Sequence, residues 1–308
     1  MKKNLVFILL FFGCFQLFGQ QRPVISQYML NGLVLNPAYA DRHEYSSFTA
    51  MYRDQWVNVP GAPQLTVASG QTGFKDRNFG LGLLLVNDAI GIHNNYSVYA
   101  SYAYSIKMVN GGKLSMGLQG GFDHIRSDFN LLNIRDDGDP FLEGVRSDFM
   151  PNFGAGLFYH DKYNYLGFSV PYILSNRNVQ DDNFFRDFKM PRYYYVTAGR
   201  LFEASPRLVI KPSVLLRIQD ENPFAFDANI NFYIDEIIGL GASYRFNDSV
   251  IGIFEFQLND YIKFSYAYDW VFSELTPFTK GSHEIMLNYR INFSAPRKHR
   301  MCPGPAYF

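Results

Sequence analysis

The sequence predicts an all-β protein: a transmembrane, antiparallel, up-and-down β-barrel of about 14 strands, with an irregular amino-terminal segment. Three observations carry that expectation. First, apolar and polar residues alternate in many short stretches. In Glu284–Phe293, Ile285, Leu287, Tyr289, Ile291 and Phe293 fall on one face, and Glu284, Met286, Asn288, Arg290 and Asn292 on the other. A strand points successive side chains to opposite sides, so such a stretch has one apolar and one mostly polar face. Second, aromatics make up 18% of the chain, with 30 Phe and 22 Tyr, residues that favour strands and membrane interfaces. Third, the links between stretches alternate between tight and long, as in bacterial outer-membrane barrels.

The bulk numbers exclude other classes. Charged residues are 18%, below the roughly 25% of soluble domains. The formal charge is zero, so no basic character points to nucleic acid. The mean hydropathy of −0.13 argues against a bundle of membrane helices. Beyond the first 20 residues no apolar run reaches the roughly 18 residues that a spanning helix needs. A barrel passes that test because only alternate residues face lipid.

Residues 1–20 read as a secretory signal peptide: Lys2 and Lys3 are the positive end, Leu5–Phe18 is the apolar stretch, and cleavage falls near Gly19-Gln20. Lipidation at Cys14 is the lesser alternative, because its apolar stretch would be short. The mature chain then keeps only Cys302, which cannot form an internal disulfide. Residues 21–45 are irregular, with a turn signal at Asn36-Pro37. They hold too many apolar residues for a free tail (Val24, Ile25, Tyr28, Met29, Leu30, Leu33, Val34, Leu35). Two placements are open: a plug inside the lumen, or a segment packed on the periplasmic mouth.

The barrel is expected over 46–294 and a periplasmic tail over 295–308. The candidate strands are Ser47–Arg53, Gln64–Gly70, Phe79–Val86, Tyr96–Ile106, Lys113–Asp123, Phe153–His160, Tyr165–Val170, Tyr194–Phe202, Leu208–Ile218, Phe224–Phe232, Ile238–Phe246, Val250–Leu258, Ile262–Tyr268 and Glu284–Phe293. Tight links fall at Lys75-Asp76, Asn110-Gly111-Gly112, Asp161-Lys162, Ser205-Pro206, Asp235-Glu236 and Asn259-Asp260. The three longest links, 127–150, 171–191 and 269–281, lie on the opposite side. Taking both termini as periplasmic, every second link should be short, and the tight links are then the periplasmic turns; the even strand number fits bacterial barrels. Pro212 interrupts its strand and marks an expected bulge. The face taken by Arg200 is not specified.

The inward face collects Arg53, Lys113, Asp123, Lys211, Arg217, Asp227, Arg245, Glu255, Lys263, Glu284 and Arg290. Mixed signs suit a braced polar network better than an ion-selective pore. No catalytic or metal constellation emerges. The six histidines lack metal-ligand spacing, and no GxSxG elbow is present. Neither an enzyme nor a cofactor is expected. Arg135-Asp136-Asp137-Gly138-Asp139-Pro140 reads as a solvated turn rather than a calcium loop, and Asp181-Asp182 also reads as solvated. Trp56, in the first long-side loop, is either an interfacial anchor or a binding hot spot.

Several motifs then align in order: Gln27-Tyr28-Met29-Leu30-Asn31, Asn36-Pro37-Ala38-Tyr39-Ala40, Tyr52-Arg53-x-Gln55-Trp56, Gly61-Ala62-Pro63, Phe79-Gly80-Leu81-Gly82 and Asn87-Asp88-x-Ile90-Gly91. Together with the Cys302-Pro303 tail they resemble the PorP/SprF family. Asp41 departs from it, where the family commonly has Gly. The resemblance implies an outer-membrane component of the type IX secretion system of Bacteroidetes. It implies partners of two kinds: secreted cargo with a C-terminal sorting domain, including gliding adhesins, and periplasmic ring components. It implies no catalytic residue. Tyr28, Asn31, Asn36, Pro37, Tyr39, Arg53, Gln55, Trp56 and Cys302 are the candidate partner-binding residues, with the long loops facing cargo and the amino-terminal segment and tail facing periplasmic partners. The rival is an outer-membrane channel, or a hydrophobic-solute transporter with an amino-terminal plug.

Overall fold

The computed structural model describes residues 25–43, 45–74, 77–109, 111–132, 144–174, 191–219, 224–273 and 276–291. The signal peptide, the Arg135–Pro140 and Asp181-Asp182 stretches, Phe293 and the Cys302 tail lie outside them. Strands form where the sequence alternates: β1 (Ser46–Asp54), β2 (Gln64–Gly73), β3 (Phe79–Ile90), β4 (His93–Lys107), β5 (Lys113–Asp128), β6 (Val145–His160), β7 (Asn164–Val170), β8 (Tyr193–Arg200), β9 (Phe202–Ser205), β10 (Leu208–Gln219), β11 (Ala225–Ile234), β12 (Ile238–Arg245), β13 (Ser249–Gln257), β14 (Ile262–Val271) and β15 (Ser282–Ile291). All pairings are antiparallel. β1 pairs with β15 and β10 with β11, so the sheet closes on itself.

The barrel has 14 strand positions with one extra strand, because β8 and β9 share a position on either side of Leu201. β10 pairs with β8 as far as Ser213–Gly199 and with β9 from Ile210–Phe202. The ladder is therefore missing opposite Lys211 and Pro212. Proline has no N–H to give a ladder, and the interruption appears on the neighbouring strand rather than as a bulge at Pro212. The register shift itself lies between Leu208 and Val209. Arg200 is exposed, its guanidinium 5.2 Å over the Phe202 ring.

The outer face is apolar. Leu81, Leu83 and Leu85 on β3 are 46%, 48% and 41% exposed, while Leu84 between them is buried. On β15 the exposed residues are Ile285, Leu287 and Tyr289, and Glu284, Met286 and Asn288 are buried. That inversion of a water-soluble pattern suits lipid outside and polar packing inside. β5 and β6 each have 16 residues, against the roughly 9–11 that cross a bilayer. Their excess projects at the end with the long loops.

At the other end the turns are tight. Asp235 and Glu236 both take positive φ, 51° and 60°, the geometry of a type I′ hairpin turn. Arg207 donates to the Asp235 carboxylate and holds it below the usual carboxyl range. Between β6 and β7, Asp161 accepts from the Tyr163 and Asn164 N–H groups. Burial raises the Asp161 carboxyl, but these hydrogen bonds outweigh it and leave it below its ordinary value.

Candidate functional site

Residues 25–43 do not alternate, and they form no strand. They make three short 3₁₀ turns, Tyr28–Leu30, Gly32–Val34 and Pro37–Asp41. Asn36 caps the third: its Oδ1 accepts from the Ala38 N–H at 2.9 Å, and Pro37 follows where no N–H is needed. Nearly every side chain of the segment is buried against inward-facing strand residues. The segment fills the lumen.

It also crosses the lumen from one end to the other. Ser26 and Gln27 meet Arg53, Asp269 and Glu284, all at the long-loop ends of β1, β14 and β15. Midway, Asn31 bonds to Ser69 on β2. Asp41 pairs with Lys113, the first residue of β5, at 2.8 Å, beside the tight β4–β5 turn. The position that departs from the PorP/SprF pattern is thus matched by a lysine on the facing strand.

Two walls hold this plug. Along β2–β7 the contact is backbone to backbone. A Cβ at Gly117 would overlap Pro37 and Ala38, one at Gly80 would overlap Ala40 and Asp41, and one at Gly73 would overlap the His43 carbonyl. At Gly156 it would strike the Asn36 side chain. Asn36 Nδ2 also donates to the Leu157 carbonyl at 2.9 Å. Inward glycines on neighbouring strands thus form a track for the segment.

The opposite wall is charged. A chain of ion pairs runs Glu284–Arg53–Asp269–Arg245–Asp227–Arg217, with separations of 2.7 to 3.5 Å, across β15, β1, β14, β12, β11 and β10. The plug joins it. The N–H groups of Ser26 and Gln27 donate to Glu284 at 2.8 and 2.9 Å. Ser26 Oγ donates to Asp269 at 2.8 Å and accepts from Arg53 at 2.7 Å. Buried charges need such partners. Lower down, Glu255 takes Lys263, Asn231 and Tyr233.

Two cavities flank the plug. One lies toward β1, β2, β14 and β15 at the tight-turn mouth, lined by Asn31, His43, Gln71, Lys263 and Arg290 among others. The other is apolar and lined by Tyr28, Met29, Tyr39, Phe158, Tyr165 and Lys211 among others. Among the described residues no group of three His, Cys, Asp or Glu side chains is placed to hold a metal.

Of the candidate partner-binding residues, Tyr28, Asn31, Asn36, Pro37, Tyr39 and Arg53 are all buried in the lumen, where they brace the plug. Gln55 and Trp56 stand apart, half-buried in the β1–β2 loop. That loop is tied to the β14–β15 loop: the Val57 N–H donates to Gly281 at 2.9 Å, and the Trp56 N–H to Ser282 Oγ at 3.1 Å. Cys302 lies outside the described residues. Sequence reasoning missed Asp269 and the glycine track. Inward-parity glycines recurring on successive strands were the available signal.

Residues 17–289 match a protein family described as type IX secretion system membrane protein PorP/SprF. No curated protein matches the chain. Similar solved structures include the Ralstonia pickettii toluene transporter TbuX, at 10% identity over 85% of this chain and 92% of that one, with a TM-score of 0.48. The Acinetobacter baumannii outer membrane protein Omp33 is 8% identical over 82% and 100%, with a TM-score of 0.44. The P. putida toluene transporter TodX is 10% identical over 86% and 94%, with a TM-score of 0.43. Such likenesses concern the fold alone. The family match spans most of the chain, and the chain belongs to the PorP/SprF family: it is an outer-membrane β-barrel of the type IX secretion system.

Proposed function

We propose that this protein is a non-enzymatic platform that helps secrete cargo and hold it at the cell surface, and that it contacts the periplasmic part of the machine. One observation carries the reading beyond the family: the lumen is occupied along its length by the protein's own residues 25–43, latched at one end and packed on glycines along one wall. A barrel so filled is suited to docking rather than to passing solutes. The long loops, including Gln55 and Trp56, face outward to cargo that carries a C-terminal sorting domain, such as a gliding adhesin. The tight turns and the tail with Cys302 face periplasmic ring components.

Deleting the gene tests this: particular large proteins should vanish from the surface while small-solute uptake continues. Affinity purification from native outer membrane should retain cargo and periplasmic ring proteins together. Removing Ala295–Phe308 should weaken capture of the ring proteins, and unchanged capture and display would remove the tail from the docking role. The second reading, a hydrophobic-solute transporter, is favoured by the apolar cavity beside Tyr28, Phe158 and Tyr165. It predicts intact surface display with lost uptake of an apolar solute.

A further inference from the structure

The polar cavity at the tight-turn mouth has a wall that the strand register builds in two layers. In the outer layer Ser47 on β1 stands opposite Arg290 on β15. In the inner layer Thr49 stands opposite Asn288, and Asn288 opposite Lys263 on β14. Residues two apart on a strand share a face, so all five point into the lumen. Met29 and Leu30 line the cavity from the plug side.

The charges around this cavity do not cancel. Among the described residues that line it there is no Asp or Glu. Lys263 is matched by Glu255 at 3.2 Å. Arg290 has no carboxylate partner among the described residues. Its Nε donates to Asn288 Oδ1 at 2.7 Å, and its guanidinium lies 5.8 Å over the Tyr45 ring. One positive charge is left over, on a planar fork that fits a carboxylate through two parallel hydrogen bonds.

The neutral groups present hydrogens to the same space. Asn288 Nδ2 donates to Ser47 Oγ and to Thr49 Oγ1, each at 2.8 Å. A hydroxyl that accepts in this way keeps its own hydrogen to donate. Neither hydroxyl has an acceptor among the described residues. His43 Nδ1, buried on the same lining, also has no partner among them. Buried polar groups are seldom left unpaired. An unpaired guanidinium beside two unspent hydroxyl hydrogens is a set that an oxyanion would satisfy.

We propose that this cavity binds a carboxylate, gripped by Arg290 and by the Ser47 and Thr49 hydroxyls, with the attached carbon chain against Met29 and Leu30. The single unmatched charge favours a carboxylate over a doubly charged phosphate. Two sources share this chemistry: a free small carboxylic acid, and an acidic side chain or chain end of a periplasmic protein. The second source rests on the periplasmic docking proposed above; the site does not.

The full-length protein, purified in detergent, is titrated with butyrate at constant ionic strength, with butyramide as the uncharged control, and its unfolding temperature is followed. The expected result is a saturable rise with butyrate and none with butyramide. Arg290→Gln should abolish the rise, and Thr49→Val, which keeps the shape of the side chain, should weaken butyrate binding several-fold. Equal behaviour of butyrate and butyramide overturns the proposal, as does an equal rise in Arg290→Gln. If Arg290→Gln fails to assemble, unchanged butyrate affinity in Thr49→Val overturns it. Butyrate binding is read with no partner present, so its failure and the failure of periplasmic docking are separate results. A butyrate wash of the protein affinity-purified from native outer membrane then identifies the source. Release of captured periplasmic proteins assigns the carboxylate to a protein, and their retention assigns it to a free acid.

Discussion

The two walls of the lumen hold the same segment by different physics. Along β2–β7 the wall is made of absences: Gly73, Gly80, Gly117 and Gly156 leave room where side chains would stand, and the plug backbone occupies it. Along β10–β15 and β1 the wall is made of charges, and the plug contributes N–H and hydroxyl groups to a chain of ion pairs. Shape complementarity tolerates no added volume but needs no charged partner. The charged wall tolerates small shifts but not the loss of one member. The first wall fixes where the segment lies, and the second fixes where it ends.

This contrast can be broken in graded steps. Glu284→Ala should have the largest effect, about 3–5 kcal/mol, because it takes one of two carboxylate partners from the buried Arg53 and leaves two plug N–H groups without their acceptor. The temperature at which the detergent-purified barrel unfolds on a heat-modifiability gel should fall accordingly. Replacing the pair together, Arg53→Met with Glu284→Leu, should recover part of that loss. No recovery would mean that the N–H acceptors matter more than the ion pair.

On the lipid side, Leu287→Arg should cost about 2–4 kcal/mol and reduce barrel assembly, while Asn288→Ala on the opposite face should do less. That pair calibrates both walls against a change that touches neither. Gly117→Val should cost about 1–3 kcal/mol, by forcing Pro37 and Ala38 off the track. A protease site placed near residue 38 should become cleavable in this variant, and continued protection would argue against the shape account. Asn36→Ala, which removes a cap, should cost about 1 kcal/mol and shift unfolding by the least.

The sequence and the structure agree best where the physics is periodic. Alternation placed fourteen strand positions, although β6 starts at Val145 rather than Phe153 and the stretch expected as Tyr194–Phe202 divides into β8 and β9; the parity of Asp227, Glu255 and Glu284 placed them inside, because a strand leaves a residue only two sides to face. Residues 25–43 have no period, so their apolar content required burial but left open plug or mouth. Asp269 was invisible for a related reason: it lies at the end of β14, where strand and loop cannot be separated by pattern. Pro212 predicts a bulge on its own strand, whereas its neighbour, which also lost a bonding partner, is the strand that breaks at Leu201. The motifs around Tyr28, Asn36 and Tyr39 mark candidate partner-binding residues in the sequence, and these side chains are buried in the protein's own interior.

The latch also straddles the joint between the first and last strands. Arg53 on β1 stands directly opposite Glu284 on β15, and Ser26 bonds to both. Until those two strands meet, the site that grips Ser26 does not exist. A barrel left open at this joint would carry an ungripped amino terminus and an unpaired arginine and glutamate. Capture of Ser26 is therefore a record that assembly has finished: a residue ahead of the first strand waits on the last strand to be made.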